Sequence, residues 1–428
     1  MTEQLSTRGA KLTRFNAAVV GLCLFINVVE GFDVLVMAYA ASGVAEQWSL
    51  SESAVGLLLS CGLGGMALGS VFIAPLADLF GRRVVTTAAL VMCAGGMVVA
   101  AAAPNAAVMG FGRVLTGLGV GATVASLPVI ITELTPQRLR GTMIALYAAG
   151  LPAGGILGGA VAALLVEQHG WRAPFVVGAV LTMGLVAVVA AVMPESRQSR
   201  NHDAQTSDES RTHARSIFGS RTVATSVSLW LAYFVLMGGF YFAASWTPRL
   251  LEQSGFSGQQ SVGAGVLLNV GGIVGTLAFA ALALKASRAS LTVVAFVAAG
   301  LAFFGMTFAL SSVAATLMAT VVIGLFVNSA AAGLHSIGPE LYSTSIRATG
   351  MGLAMGVGRI GALVAPVVAG VLLDTGWRPD ALFQLVAWPM LVAAGAVLLI
   401  VTRNRGNPIG QRSPRIPDQD PSREGSHS

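Results

Sequence analysis

Glu133-Leu-Thr-Pro-Gln-Arg-Leu-Arg140 recurs 207 residues later as Glu340-Leu-Tyr-Ser-Thr-Ser-Ile-Arg347, and Gly170-Trp171-Arg172 recurs 206 residues later as Gly376-Trp377-Arg378. The chain is therefore two halves laid head to tail in the same orientation. Hydrophobic residues make up 55% of its 428 residues and charged residues 10%, against roughly 25% charged in ordinary soluble domains. Most of its surface must face lipid. A membrane-crossing helix needs about 20 largely apolar residues. Twelve stretches qualify, near 15–40, 53–74, 84–103, 107–132, 142–165, 173–193, 222–246, 261–284, 290–309, 314–335, 348–373 and 381–402. Six plus six spans fit the duplication.

This pattern predicts an all-α integral membrane fold of twelve transmembrane helices in two parallel-repeat six-helix bundles. Such repeats typify transporters whose site lies between the halves near the bilayer midplane. The expected organisation is a first bundle over 1–193, a cytoplasmic linker over 194–221, a second bundle over 222–402 and a disordered cytoplasmic tail over 403–428. Linker and tail are too polar to build a core. With both termini inside, 20 of the 25 Lys and Arg fall on the cytoplasmic side, which is the positive-inside bias. That distribution, rather than nucleic-acid binding, accounts for a sequence pI near 9.7.

Several function classes are excluded or disfavoured. The N-terminus carries no short apolar segment with a small-residue cleavage site, so the first stretch reads as a span. Cys23, Cys61 and Cys93 lack metal-ligand spacing and read as packing residues. Glycine runs such as Gly117-Leu-Gly119-Val-Gly121 lie inside apolar spans, where small residues let helices approach closely. No paired His-Glu metal motif or Gly-x-Ser-x-Gly elbow is present, so neither enzyme chemistry, metal nor cofactor is expected.

The loop Ala74-Pro-Leu-Ala-Asp78-Leu-Phe-Gly81-Arg82-Arg83 resembles the signature loop between the second and third helices of the major facilitator superfamily. The resemblance implies a charged cytoplasmic latch, with gating roles for Asp78, Gly81, Arg82 and Arg83. The equivalent second-half loop, Leu284-Lys285-Ala-Ser287-Arg288, has lost the Asp and the Gly, so a latch there is expected to be weaker. Glu30-Gly31-Phe32-Asp33 is similar to the Asp-Gly-Phe/Tyr-Asp signature of the aromatic acid:proton symporters, with Glu30 in place of the first aspartate. Arg113 to Gly121, Tyr342 to Gly350 and Gly358-Arg359-Ile-Gly361 also resemble that family. A monomer is what the resemblance implies.

Charges at the bilayer centre cost roughly 2.5–3.5 kcal/mol and usually serve a function. Glu30 and Asp33 share one helix face with Asn27. Asp33 suits proton coupling or substrate-site polarity, with a structural ion pair as the alternative. Arg113 either pairs with Asp33 or Glu30 as a proton-sensitive switch or makes a permanent salt bridge. Arg359, a mid-span guanidinium, suits bidentate recognition of a carboxylate. His335 lies on about the same face as Asn328, and both are candidate substrate contacts. Glu133, Arg140, Glu340 and Arg347, being duplicated, read as paired gating charges. In the seventh span Trp230, Tyr233, Met237 and Tyr241 share a face on which a ring could stack. Tyr233 and Tyr241 are the cavity candidates there, and Trp171, Trp246 and Trp377 are assigned to the interfacial belt.

The expectation is import of a small aromatic carboxylate with protons by alternating access at a bacterial inner membrane. The alternatives are proton-coupled transport of another small organic anion, a drug:proton antiporter and a non-transporting membrane sensor.

Overall fold

The computed structural model describes residues 13–194, 223–342 and 346–404, and the predicted linker from 195 and the tail beyond 404 lie outside the described residues. Among the described residues, twelve helices are long and apolar enough to span a membrane. They are α1 (Arg14–Trp48), α2 (Glu52–Leu68, continued by a π turn Gly69–Ile73), α3 (Arg82–Ala101), α4 (Ala106–Leu134), α5 (Gln137–His169), α6 (Arg172–Val192), α7 (Val223–Gln253), α8 (Gly258–Leu282), α9 (Arg288–Ala309), α10 (Val313–Ile337), α11 (Arg347–Asp374) and α12 (Pro379–Asn404). Several run past the apolar stretches read from sequence. α1 reaches Trp48 and α5 begins at Gln137, because backbone hydrogen bonding continues through polar helix ends that lie outside hydrocarbon.

Local chemistry sets the ends. Side chains of Thr13, Ser51, Asn105 and Ser287 accept the first orphan backbone N–H groups of α1, α2, α4 and α9, and Ser257 with Gln260 forms a full capping box on α8. The duplicated Gly-Trp-Arg motif has a backbone reason: Gly170 stops α5 at φ +75° and Gly376 follows α11 at φ +91°, a region costly for residues with a Cβ.

Within the first half, α1 packs on α5, α2 on α4, and α3 on α4 and α6. The second half repeats this with α7 on α11, α8 on α10, and α9 on α10 and α12. Glycines make the approach possible. A Cβ on Gly117 would lie 2.9 Å from Met66 N, and one on the equivalent Gly324 would lie 3.1 Å from Gly272 N. The halves meet mainly where α2 runs against α11 and α5 against α8. Large apolar side chains such as Val180 and Met183 on α6, Phe308 on α9 and Trp388 on α12 face outward. A belt of that size belongs in lipid, and this is a multi-pass membrane protein.

Trp246, assigned from sequence to the interfacial belt, is instead fully buried, and its Nε1 donates to the Pro366 carbonyl at 3.1 Å. Trp171 is buried too, donating to Gln47 Oε1 at 2.7 Å. Both indoles found partners on neighbouring helices that span position alone does not reveal. Trp377 is 42% exposed.

Gly117→Ala should therefore lower the thermal stability of the detergent-solubilised protein by the equivalent of about 1–3 kcal/mol, the usual range for overpacking. Gly305→Ala, whose Cβ would meet nothing within 4 Å, should leave it unchanged or raise it.

Candidate functional site

Two acidic groups of α1, Glu30 and Asp33, are buried. Glu30 is 2% exposed and Asp33 1%. Asp33 turns its carboxyl toward α6, where the Thr182 hydroxyl donates to Oδ2 at 3.3 Å, while Oδ1 has no hydrogen bond among the described residues. Neither oxygen of Glu30 has a partner of ordinary hydrogen-bond geometry among the described residues, although the Thr123 hydroxyl of α4 lies close to it. The nearby Thr123 hydroxyl donates to the Gly119 and Val120 carbonyls. Asn27, on the same face, is committed to the Tyr147 carbonyl.

Arg113 approaches from α4 but forms no ion pair with Glu30 or Asp33, contrary to the pairing considered from sequence. Its Nη1 donates to the Asp33 carbonyl at 2.8 Å and its Nη2 to the Val34 carbonyl at 3.2 Å. The reason is directional. Asp33 projects its side chain toward α6, so the guanidinium reaching from α4 meets the α1 backbone and not the carboxylate. Between them lies a small cavity of about 10 Å³, bordered also by Tyr241 and Ser245, which is room for about one water molecule.

A larger cavity of about 130 Å³ lies beside it, between the halves. Arg359, Tyr233, Tyr241 and His335 line it together with Leu63 and Met66. An apolar cavity of about 150 Å³ accepts benzene, so this one suits a single-ring molecule. Tyr241 and Leu63 border both cavities. Arg359 Nη1 donates across the gap to the Met66 carbonyl at 3.2 Å and to the Ser70 hydroxyl. The His335 ring stands edge-on to Tyr233 at 5.6 Å. Its Nδ1 lies 2.7 Å from the Ala331 carbonyl, which leaves Nε2 to face other partners. Asn328 does not border the cavity: its amide donates to Gly324 O at 2.9 Å and fills the space above Gly272.

The duplicated charges form duplicated pairs. Arg82 meets Glu133 at 2.8 Å in the first half, and Arg288 meets Glu340 at 2.6 Å in the second. The second pair is far more exposed, 48% and 56% against 7% and 34%, so solvent screens it more. Both pairs lie within a half. Gly81 takes φ +93° between the short helix Leu76–Phe80 and α3, Arg83 caps the Ala190 carbonyl near the end of α6, and Asp78 is exposed. Arg140 bonds its own turn at Thr135 O, 3.0 Å away, and Arg347 is exposed at the start of α11.

At the opposite end the halves are clasped. Arg249 of α7 grips Glu52 of α2 with two hydrogen bonds of 2.7 Å, and Gln253 adds a third at 2.9 Å. Asp374, the last residue of α11, accepts the backbone N–H groups of Glu52 and Ser53 at 2.8 and 2.9 Å, capping α2 from the other half. Sequence reasoning missed this clasp and also Ser70. Charges at span ends read as topology markers, although an acid directly after the Ser51 cap and another ending a span were the available signals.

Two bundles related by an internal repeat, buried ionisable groups in one half and a cation-bordered cavity between them define a membrane transporter. Its family is shown by comparison. A profile described as Major Facilitator Superfamily matches residues 23–326. The 3-(3-hydroxy-phenyl)propionate transporter of Escherichia coli is 31% identical, covering 90% of this chain and 94% of its own. The gallate transporter of Pseudomonas putida is 28% identical over 88% of this chain and 90% of its own, and the 4-hydroxybenzoate transporter PcaK of Pseudomonas aeruginosa 28% over 91% and 93%. Among solved structures, the inward open xylose transporter XylE of E. coli superposes with TM-score 0.74 at 16% identity, covering 90% of this chain and 96% of that one. The protein belongs to the Major Facilitator Superfamily and is a transporter of a small molecule, not an enzyme.

The clasp can be tested directly. In a cysteine-free background carrying Val55→Cys, a position wholly buried behind Glu52, the substitution Glu52→Gln should speed labelling by a membrane-impermeant maleimide about tenfold, the equivalent of about 1.4 kcal/mol.

Proposed function

We propose that this protein carries a small aromatic carboxylate into the cell together with protons, by alternating access, as a monomer in the cytoplasmic membrane with both termini inside. The observation that carries the reading is the cavity in which Arg359 shares the walls with Tyr233, Tyr241 and His335. A fixed cation selects an anion, the aromatic walls select a ring, and the volume holds one ring. Relatives named for gallate, 4-hydroxybenzoate and 3-(3-hydroxy-phenyl)propionate support the same class.

Asp33 and Glu30 are the proton carriers in this reading. Both are buried where no cation neutralises them through a direct ion pair, and a bare charge so placed is costly. Taking up a proton removes that cost and lets the loaded first half move. Arg113, tied to the α1 backbone beside Asp33, adjusts the field at that carboxyl. The Arg82–Glu133 and Arg288–Glu340 pairs, with Asp78, Gly81, Arg83, Arg140 and Arg347, belong to the cytoplasmic gate, and the Glu52–Arg249–Asp374 clasp closes the outer side. Asn328 fills the space at Gly272, where α10 packs on α8, and takes no part in the substrate site in this reading.

The test is uptake of labelled 4-hydroxybenzoate into proteoliposomes with and without an inward proton gradient, competed by aromatic, dicarboxylic and sugar compounds. The expected result is gradient-driven uptake blocked only by aromatic acids. Competition by another class, or indifference to the gradient, would remove the substrate or the coupling assignment respectively. Asp33→Asn should abolish gradient-driven accumulation while sparing exchange. Arg359→Ala should raise the half-saturation concentration about 10- to 100-fold, as expected for losing charge-assisted hydrogen bonds.

A further inference from the structure

Arg359 is held across the gap between the halves, and through one nitrogen. Nη1 donates to the Met66 carbonyl and the Ser70 hydroxyl of α2, while Nε and Nη2 make no hydrogen bond to any described residue. The hydroxyl is itself oriented: Ser70 Oγ donates to the Ala67 carbonyl at 2.8 Å, so a lone pair and not its proton faces Nη1. A guanidinium presents its N–H groups as a planar fork. With Nη1 turned to α2, the edge left for another partner is Nε with Nη2, a parallel pair that matches the two oxygens of a carboxylate.

The arrangement occurs once in a molecule that otherwise repeats itself. Counting 207 residues along, Ser70 corresponds to Leu277, and counting 207 back, Arg359 corresponds to Pro152. The π turn Gly69–Ile73 that contains Ser70 has no equivalent either, since α8 continues as a regular α-helix to Leu282. Single π turns inside longer helices concentrate at functional sites. This one adjoins the cavity that Met66 and Arg359 line.

We propose that Ser70 is a positioning residue for the cargo: by fixing Nη1 it presents the Nε–Nη2 edge of Arg359 to the substrate carboxylate, and it makes tight anion binding conditional on contact between α2 and α11. The proposal rests on the reading of Arg359 as the anion-binding group. A substrate bound in this way senses whether the two halves are together at this point, because its strongest contact is aligned by the opposite half.

The experiment is a double-mutant cycle on the full-length protein, with equilibrium binding and uptake of labelled 4-hydroxybenzoate measured for the unaltered protein, Ser70→Ala, Arg359→Ala and the double variant, and with Ser70→Thr as the conservative replacement. Ser70→Ala should weaken binding about five- to tenfold with maximal uptake rate unchanged. Ser70→Thr should restore near-normal affinity, and the Ser70→Ala effect should vanish in the Arg359→Ala background. Weakening by Arg359→Ala alone, or a Ser70→Ala effect that persists in full without Arg359, would overturn the role of Ser70 and leave the anion site standing. No binding to the unaltered protein, or binding indifferent to Arg359→Ala, would remove the substrate reading and this proposal together. If Ser70→Ala does not elute as a folded species, Ser70→Cys, which keeps the size and weakens the acceptor, takes its place in the cycle.

Discussion

Helices α2 and α11 meet nearly backbone to backbone along much of their length, and the clasp and the large cavity both sit on that seam. Gly56 leaves no space for a Cβ against the Pro366 carbonyl, and Gly370 leaves none against the Glu52 carbonyl. Ser60 donates to the Leu363 carbonyl at 2.8 Å. Lipid offers no hydrogen bonds, so polar contacts between the halves must be completed within the protein. They are: Asp374 closes one end of the seam on the N-terminus of α2, and Arg359 bonds to Met66 and Ser70 farther along it. The cavity opens beside that last contact, where α2 passes into its π turn.

Comparing the halves residue by residue separates two kinds of charge. Arg82 and Glu133 have counterparts in Arg288 and Glu340, and both pairs form. The groups assigned to chemistry have none: at the 207-residue offset Glu30 falls on Met237, Asp33 on Phe240, Arg113 on Thr320 and Arg359 on Pro152. Symmetric motion of two bundles about a common site needs similar hinges and latches in each. Coupling a proton to a cargo does not, and it is easier to arrange when the two ligands load on different halves. The buried carboxylates Glu30 and Asp33 in the first half and the free edge of a guanidinium in the second fit that division.

The fold was legible because its cause, apolar length repeated twelve times, is written in composition. Tyr233, Tyr241, Arg359 and His335 could be singled out for a related reason: a polar or aromatic group in an apolar span stands out against its surroundings. What escaped notice was decided by direction and not by residue type. Nothing in the chain order shows that Asp33 turns toward α6 while Arg113 grips the α1 backbone, or that one of the serines of α2 meets an arginine 289 positions away. Trp246 was misplaced for the same reason, since an indole near a span end looks interfacial until the helix packed over it is known. Glu52, Arg249 and Asp374 are ordinary end-of-span charges until the halves are brought together.

How closely the proposed proton and anion sites can communicate follows from what lies between them. Tyr241 and Leu63 form a shared wall, with Asp33 and Arg113 around the small cavity on one side and Arg359 around the large one on the other. Little water enters the first space, so a change of charge at Asp33 is weakly screened, and Coulomb interactions extend farther there than in solvent. If Asp33 takes the proton and Arg359 the anion, as proposed, an anion beside Arg359 alters the potential felt by Asp33, and a proton on Asp33 alters the affinity for the anion by the same factor, as linkage requires. In the proposed reading a single layer of side chains, Tyr241 and Leu63, separates the two ionic sites, and the low-dielectric interior carries the coupling across it. In the proposed cycle the rocking of the halves converts that coupling into direction.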